Sequence, residues 1–332
     1  MISSLKRIVD GSRALTHLNY YKGQLAYQFG LHRHLSGATH GRFDLNESLA
    51  YVRGVFDDYV RYSGEPSSSL AGKRVMEIGP GDNLGVGLLF LAHGATSYLA
   101  VDRFSPQADP ERNEQIYAAL LDGMTDEQRS RVADCLEPVG QGRARITGSR
   151  LAAQYGSAIE DLGRSVASES VDVIISRAVL EHVYDPVRAW QVMASVLHPD
   201  GQMWHKVDLR HHGFYDQFHP LEFLTVPTRI WDRVTQPDPT LNRRRVDCFD
   251  QLAKQAFQES EVYLTHVLDH EEMVPHRKQL EFGRDYDDED LQLVRAIRPR
   301  LAPEFRDLSD EQLLVTGIFV ICRRKRSGSL SR

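Results

Sequence analysis

Val75-Met76-Glu77-Ile78-Gly79-Pro80-Gly81-Asp82-Asn83-Leu84-Gly85, followed at the end of the next apolar run by Asp102, decides the fold of this 332-residue chain. The run from Val75 to Ile78 reads as a strand leading into two glycines one residue apart, where backbone approaches a ligand with no Cβ in the way. A strict dinucleotide fingerprint has a third glycine three residues after the second. Here that place is Leu84, and the glycine is displaced to Gly85. The displacement argues against a pyrophosphate, which needs close helix approach and free amides. Glu77, just upstream, suits a ligand without phosphates that carries an ammonium group.

Working outward, the chain alternates strand and helix patterns from Lys73 onward, which favours a mostly parallel sheet covered on both faces. Strands are expected near 73–79, 97–102, 171–176 and 201–208, with Arg143 to Thr147 as the candidate for the third strand in chain order. Val262 to Leu268 and Leu313 to Cys322 supply two more, separated by an acidic helical stretch around Asp285 to Ile297. Upstream of the sheet, residues 1–70 read as a helical N-terminal cap. Asp44 with Glu47 gives a capping-box start, and Leu49, Val52, Phe56 and Val60 recur at helical spacing. Before that helix, Tyr20, Tyr21, His32, His34, His40 and Arg42 form a segment rich in polar aromatics, a candidate lid. The terminal RRKRSGSLSR reads as a solvated tail, with 326–332 flexible.

Composition narrows the class. A formal charge of −6 disfavours a nucleic-acid scaffold, which needs surplus Lys and Arg to neutralise phosphates. The three cysteines, Cys135, Cys248 and Cys322, are widely spaced and make no C-x-x-C pair, so neither a disulfide framework nor a zinc site is suggested. No signal peptide and no apolar run long enough to span a membrane is visible. The expectation is a cytoplasmic protein without membrane or nucleic-acid partners.

The pattern E-x-G-x-G, with an acid about 20 residues further on, resembles the first motif and the following acidic position of class I S-adenosylmethionine (SAM)-dependent methyltransferases. A second block, SVDVIISRAVLEHVYDP from Ser170 to Pro186, closely resembles the fourth-strand motif of the same family. The resemblance implies an α/β fold: a Rossmann-like, seven-stranded, mostly parallel sheet whose last strand inserts antiparallel between the fifth and sixth. No internal repeat or low-complexity linker is visible, so one domain over 71–325 with an insertion at about 209–250 is the economical reading. The resemblance also implies SAM as cofactor, with Gly79, Gly81 and Asp82 around the methionine part, Glu77 on its ammonium group and Asp102 on both ribose hydroxyls. Ser176 and Arg177 would face the crevice beyond the strand ends. For the adenine, the family usually has an acid where this chain has Ala158. That leaves backbone at Ile159, with Glu160 or Asp161 as substitutes.

Transfer of a methyl group from a sulfonium is an in-line displacement, so the protein must align the nucleophile and remove its proton. His211 and His212, in the loop after the fifth strand, are the preferred bases; His182 in LEHV is a third candidate, although a packing role is common for it. His205 and Asp208 lie on opposite faces of their strand and are not expected to act together. Asp208, His211, His212, Asp216 and His219 could surround a divalent ion, but their pattern is not specific and no metal is expected. The insertion combines Tyr215, Phe218, Phe223 and Trp231 with Arg210, Arg229, Arg243, Arg244 and Arg245. That set suits a clamp on a sugar or anion, or equally an exposed helix start. With the segment HPLEFLT, it distantly resembles bacterial methyltransferases acting on glycans and secondary metabolites.

Several subclasses are disfavoured by local chemistry. The D/N-P-P-Y/F motif that grips a flipped base is absent, no cysteine follows a proline, and a paired-glutamate loop is not visible. The expected function is O-methylation of a small polar acceptor of glycan or secondary-metabolite type. N- or carboxyl-methylation, a nicotinamide oxidoreductase and a non-catalytic SAM-binding partner stand as alternatives. The partner expected is a small-molecule substrate, and a homo-oligomer stays open.

Overall fold

The computed structural model describes residues 22, 40, 42–106, 108–140, 142–211, 218–235 and 241–324. Helix α1 (Leu45–Ser63) starts where the sequence says it should. The Asp44 carboxylate accepts from the Glu47 amide at 2.9 Å and Glu47 reciprocates on the Asp44 amide at 2.7 Å, which satisfies two otherwise orphaned donors. Gly64, at φ 71°, ends it. Its inward stripe is Val52, Val55, Phe56 and Tyr59.

The sheet strands are β1 (Arg74–Ile78), β2 (Ser97–Asp102), β5 (Leu151–Tyr155), β6 (Val171–Arg177), β7 (Leu197–Asp208), β8 (Glu259–Val267) and β9 (Val315–Arg323). Their spatial order is β5-β2-β1-β6-β7-β9-β8, with β9 antiparallel to both neighbours and every other pair parallel. This is the seven-stranded, mostly parallel arrangement expected, including the inserted last strand. From β1 the chain winds outward in one direction through β2 and in the other through β6. The crevice beyond β1 is therefore the topological switch point where ligands of open α/β sheets bind.

The third strand corrects the sequence reading. Arg143–Ile146 is β4 of a separate hairpin, antiparallel to β3 (Leu136–Gly140). The sheet edge is instead β5, in register Tyr98↔Leu151 through Asp102↔Tyr155. The reason is charge: Arg143 and Arg145 pair with Glu111 at 2.9 Å and Glu114 at 2.8 Å on helix α3 (Pro110–Asp122), so the hairpin packs on that helix.

Strand alternation sends side chains to two cores. Val75, Tyr98, Val173, Ile175, Trp204 and Phe319 face α1 and helix α2 (Gly85–Ala92), on which helix α4 (Asp126–Val132) packs. Met76, Ile78, Ile174, Met203 and Val207 face Trp190 of helix α5 (Pro186–Val196) and Phe249 of helix α7 (Val246–Ala256). Helix α6 (Thr228–Thr235) lies in the insertion between β7 and α7. The three cysteines are free. Among the described residues no helix is long and apolar enough to cross a membrane.

Candidate functional site

The turn after β1 is built around its glycines. Gly79 and Gly81 have φ of 71° and 70°, a region that costs other L-residues energy. A Cβ on Gly79 would stand 2.2 Å from Val179 Cγ2, so the loop after β6 closes directly onto this backbone. Gly85 has a different task. Its amide is capped by Asn83 Oδ1 at 2.7 Å, and a Cβ there would meet that oxygen at 2.7 Å and Leu120 and Val52 at 3.0 Å. The displaced glycine thus lets α2 pack against α3 and α1. Asn113 of α3 braces the turn, donating to the Asp82 carbonyl at 2.6 Å and accepting from Asn83 at 2.7 Å.

A cavity of about 400 Å³ opens beyond this turn. Glu77, Gly79, Gly81, Asp82 and Asp102 all line it, as do Ile159, Arg177 and His182. Glu77 is buried at its floor, with its Oε2 accepting from the Tyr98 hydroxyl at 2.5 Å. Burial pushes its carboxyl up to about 7; the Tyr98 hydrogen bond pulls down and the charge of Asp102 pushes up. Asp102, at the end of β2, accepts from the Phe104 amide at 2.8 Å. The Asp82 carboxylate accepts from the His40 amide at 3.1 Å. At one end, the cavity is walled by Ser157, Ala158, Ile159 and Glu160. Glu160 accepts from the Asp185 amide at 3.2 Å, whereas Asp161 pairs with Arg164 at 3.4 Å and is not part of the wall.

A family model described as a methyltransferase domain matches residues 49–243, which includes the glycine turn, Asp102 and the whole fourth-strand block. The chain belongs to this methyltransferase family. Similar solved structures include the CurJ carbon methyltransferase (14% identity, TM-score 0.43, covering 97% of this chain and 69% of that one). Another is a chain of the complex between the Haloferax volcanii Trm112 methyltransferase activator and a putative methyltransferase (15%, 0.39, 86% and 97%). A third is an S-adenosylmethionine-dependent methyltransferase from Mesorhizobium loti (14%, 0.39, 85% and 100%). No curated protein sequence matches.

The methyltransferase uses SAM, which supplies an electrophilic methyl group on a sulfonium. The residues present fit it. Gly79 and Gly81 bring backbone to the cavity wall, Glu77 is an acceptor suited to an ammonium group, and Asp102 offers two carboxylate oxygens for a ribose diol.

Two of the residues named from sequence are placed elsewhere by the methyltransferase fold. Ser176 does not line the cavity: its hydroxyl meets His205 Nδ1 at 2.8 Å across paired strands, and both side chains are fully buried. Burial pushes His205 down to about 3, so that imidazole is neutral. His211 is buried between Phe223 and Trp231, with ring centroids 5.6 and 6.0 Å away, and it too is outside the cavity lining. Strand β7 ends at Asp208, and the chain turns at once into the core under α6. His212 lies outside the described residues, as do Tyr20, Tyr21, His32, His34, Tyr215 and Asp216.

Of the other polar candidates, Asp208 pairs with Arg210 at 2.7 Å and His219 Nε2 meets the Leu293 carbonyl at 3.1 Å. Among the described residues no three potential metal ligands stand together. Arg243 and Arg245 are not an anion clamp. Arg243 is buried on the Phe223 and Val226 carbonyls, with its guanidinium 4.6 Å from the centroid of the Trp231 ring. Arg245 is buried on the carbonyls of Leu209, Leu313 and Val315. Only Arg244 of the three is exposed.

The cavity is also bounded by residues from other elements, of which the sequence reading had named Arg177 and His40. Tyr51 and Arg177 form one side, with Arg177 held at 2.9 Å by Asp58, which also takes Lys206 at 3.1 Å. These bonds tie α1 to the ends of β6 and β7. Arg103 lies over the Tyr184 ring at 4.2 Å, and both line the cavity. His40 belongs to the segment expected from sequence to be a candidate lid, and its imidazole, whose pKa is lowered mainly by burial, lines the cavity. No local signal distinguishes Tyr51, Arg103 and Tyr184, because each reaches the site from a separate element.

Proposed function

We propose that this methyltransferase transfers the methyl group of SAM to a hydroxyl oxygen of a small polar acceptor of glycan or secondary-metabolite type. The observation that carries the reading is the pair of histidines in the cavity wall, His182 from the turn after β6 and His40 from the lid segment. Imidazole is the side chain that exchanges a proton most readily near physiological pH, which suits it as a base for a hydroxyl. The imidazole would take the hydroxyl proton of the acceptor, while SAM, when bound, would supply the methyl group and leave as S-adenosylhomocysteine. Half-exposed His182 is the better placed of the two to meet an incoming acceptor. Gly79, Gly81, Asp82, Ile159 and Arg177 bound the cofactor, with Glu77 and Asp102 as its polar anchors. The cavity, about 400 Å³, suits a small acceptor beside the cofactor.

The test is incubation of the purified protein with methyl-labelled SAM and extract of its own cells, followed by mass spectrometry of labelled products. A labelled methyl ether, lost in His182→Ala with SAM affinity retained, is the expected result. Label on nitrogen or a carboxyl group would replace the hydroxyl acceptor, and SAM binding without turnover would make the chain a binding partner instead.

A further inference from the structure

Glu77 and Tyr98 stand on paired strands, in a register that sets Val75 against Tyr98 and Glu77 against Ala100. Alternation turns both toward the α1 face of the sheet, where Tyr98 is 1% exposed and Glu77 4%. The phenol cannot swing away. A Cβ on Gly87 of α2 would stand 2.6 Å from its ring, and Phe90 lies against it at 5.8 Å between centroids. Its hydroxyl therefore delivers one hydrogen bond, 2.5 Å long, to Oε2 of a carboxyl group that also forms the cavity floor.

Nothing else near Glu77 favours its charged form. Asp102 at the end of β2 opposes it, and the facing groups from other elements are phenols, Tyr51 and Tyr59 of α1 and Tyr155 of β5. Arg177 of β6 is engaged by Asp58, and among the described residues no cation pairs with Glu77. Among the described residues Tyr98 is thus the one side-chain donor that favours the ionised form of this acid and fixes its rotamer.

We propose that Tyr98 is a positioning residue for the cofactor: it keeps the Glu77 carboxylate charged and aimed at the ammonium group of SAM, so that cofactor affinity titrates with this pair. The proposal rests on the reading that Glu77 meets the ammonium group. It adds a requirement that E-x-G-x-G does not contain, a tyrosine on the neighbouring strand.

The experiment is calorimetric titration of the full chain with S-adenosylhomocysteine between pH 6 and pH 9, for wild type, Tyr98→Phe, Glu77→Gln and the double variant. The ligand's own ammonium titrates equally in all four, so ratios of Kd isolate the protein. Removing a donor to the charged form raises the Glu77 pKa. A rise of about one unit makes Tyr98→Phe roughly tenfold weaker than wild type at pH 6, about fivefold at pH 7 and equal within about twofold at pH 9. In the Glu77→Gln background, Tyr98→Phe should add no pH-dependent effect. A wild-type:Tyr98→Phe ratio that is flat with pH would overturn the proposal, because lost packing weakens binding equally at every pH. So would a Glu77→Gln profile with the same inflection as wild type, which needs no folded Tyr98 variant to measure. Failure of wild type to bind S-adenosylhomocysteine at any pH would instead remove the cofactor reading itself.

Discussion

The glycine turn after β1 and the arginine run before α7 are equally conspicuous in the sequence, and the fold uses them in opposite ways. At the turn, Glu77, Asp82 and Asp102 reach a cavity wall, held in place by neighbours such as Tyr98 and the Phe104 amide. In the run, Arg243 and Arg245 are turned inward and hydrogen-bond backbone carbonyls. The contrast teaches that polar residue type marks a site only where the backbone leaves the group unsatisfied or facing a cavity. Where loops and strand ends bury their carbonyls, a guanidinium with several donors is the simplest way to satisfy them.

The largest effect expected from this contrast is on the arginine side. Arg245→Ala should lower unfolding free energy by about 4 kcal/mol, because it orphans three buried carbonyls. Urea denaturation measures this, while S-adenosylhomocysteine affinity of the folded fraction should hold. A variant of unchanged stability would break the contrast.

Next comes the stability cost of the turn's buried acid. Glu77 is raised from 4.5 to about 7, so the native state binds more protons than the unfolded chain between those values. Its contribution is full below the unfolded pKa and is lost as pH rises through 7. Glu77→Gln should therefore gain about 3 kcal/mol relative to wild type between pH 4 and pH 8, an order-of-magnitude figure read from paired denaturation curves. On the proposed role of Glu77 the same substitution should weaken cofactor binding, measured by calorimetry, so that stability is gained at the expense of recognition.

Asp102→Ala should weaken S-adenosylhomocysteine binding about 100-fold, the loss of two charge-assisted hydrogen bonds, as seen by calorimetry. Its stability loss should be nearer 1 kcal/mol, since one hydrogen bond to the Phe104 amide goes with it. The smallest effect sharpens the comparison from the other side. Arg244→Ala should change neither stability nor cofactor affinity by more than about 0.5 kcal/mol, because its side chain is exposed.

Legibility of the fold followed burial. Central strands such as Val171–Arg177 carry continuous apolar runs and were readable, whereas edge strand β5, Leu-Ala-Ala-Gln-Tyr, is half exposed and gives little pattern. Arg143–Ile146 has strand character, but its arginines answer to acids on α3, a partner that periodicity does not see. That Glu77, Gly79, Gly81 and Asp102 line one cavity was legible because one strand–turn–helix unit and the following strand fix their relative places. Ser176 misled because position at a strand end does not say which face is buried, and here His205 on the adjacent strand takes the hydroxyl.

The sequence by itself determined the methyltransferase fold and the methyl donor, since both are encoded in short segments whose backbone geometry is local. Only the tertiary structure decided what surrounds them. Tyr98 beneath Glu77, Val179 against Gly79, His40 over Asp82 and Tyr184 under Arg103 come from distant stretches of chain. Their contacts arise from packing across the sheet, which no single periodic segment records.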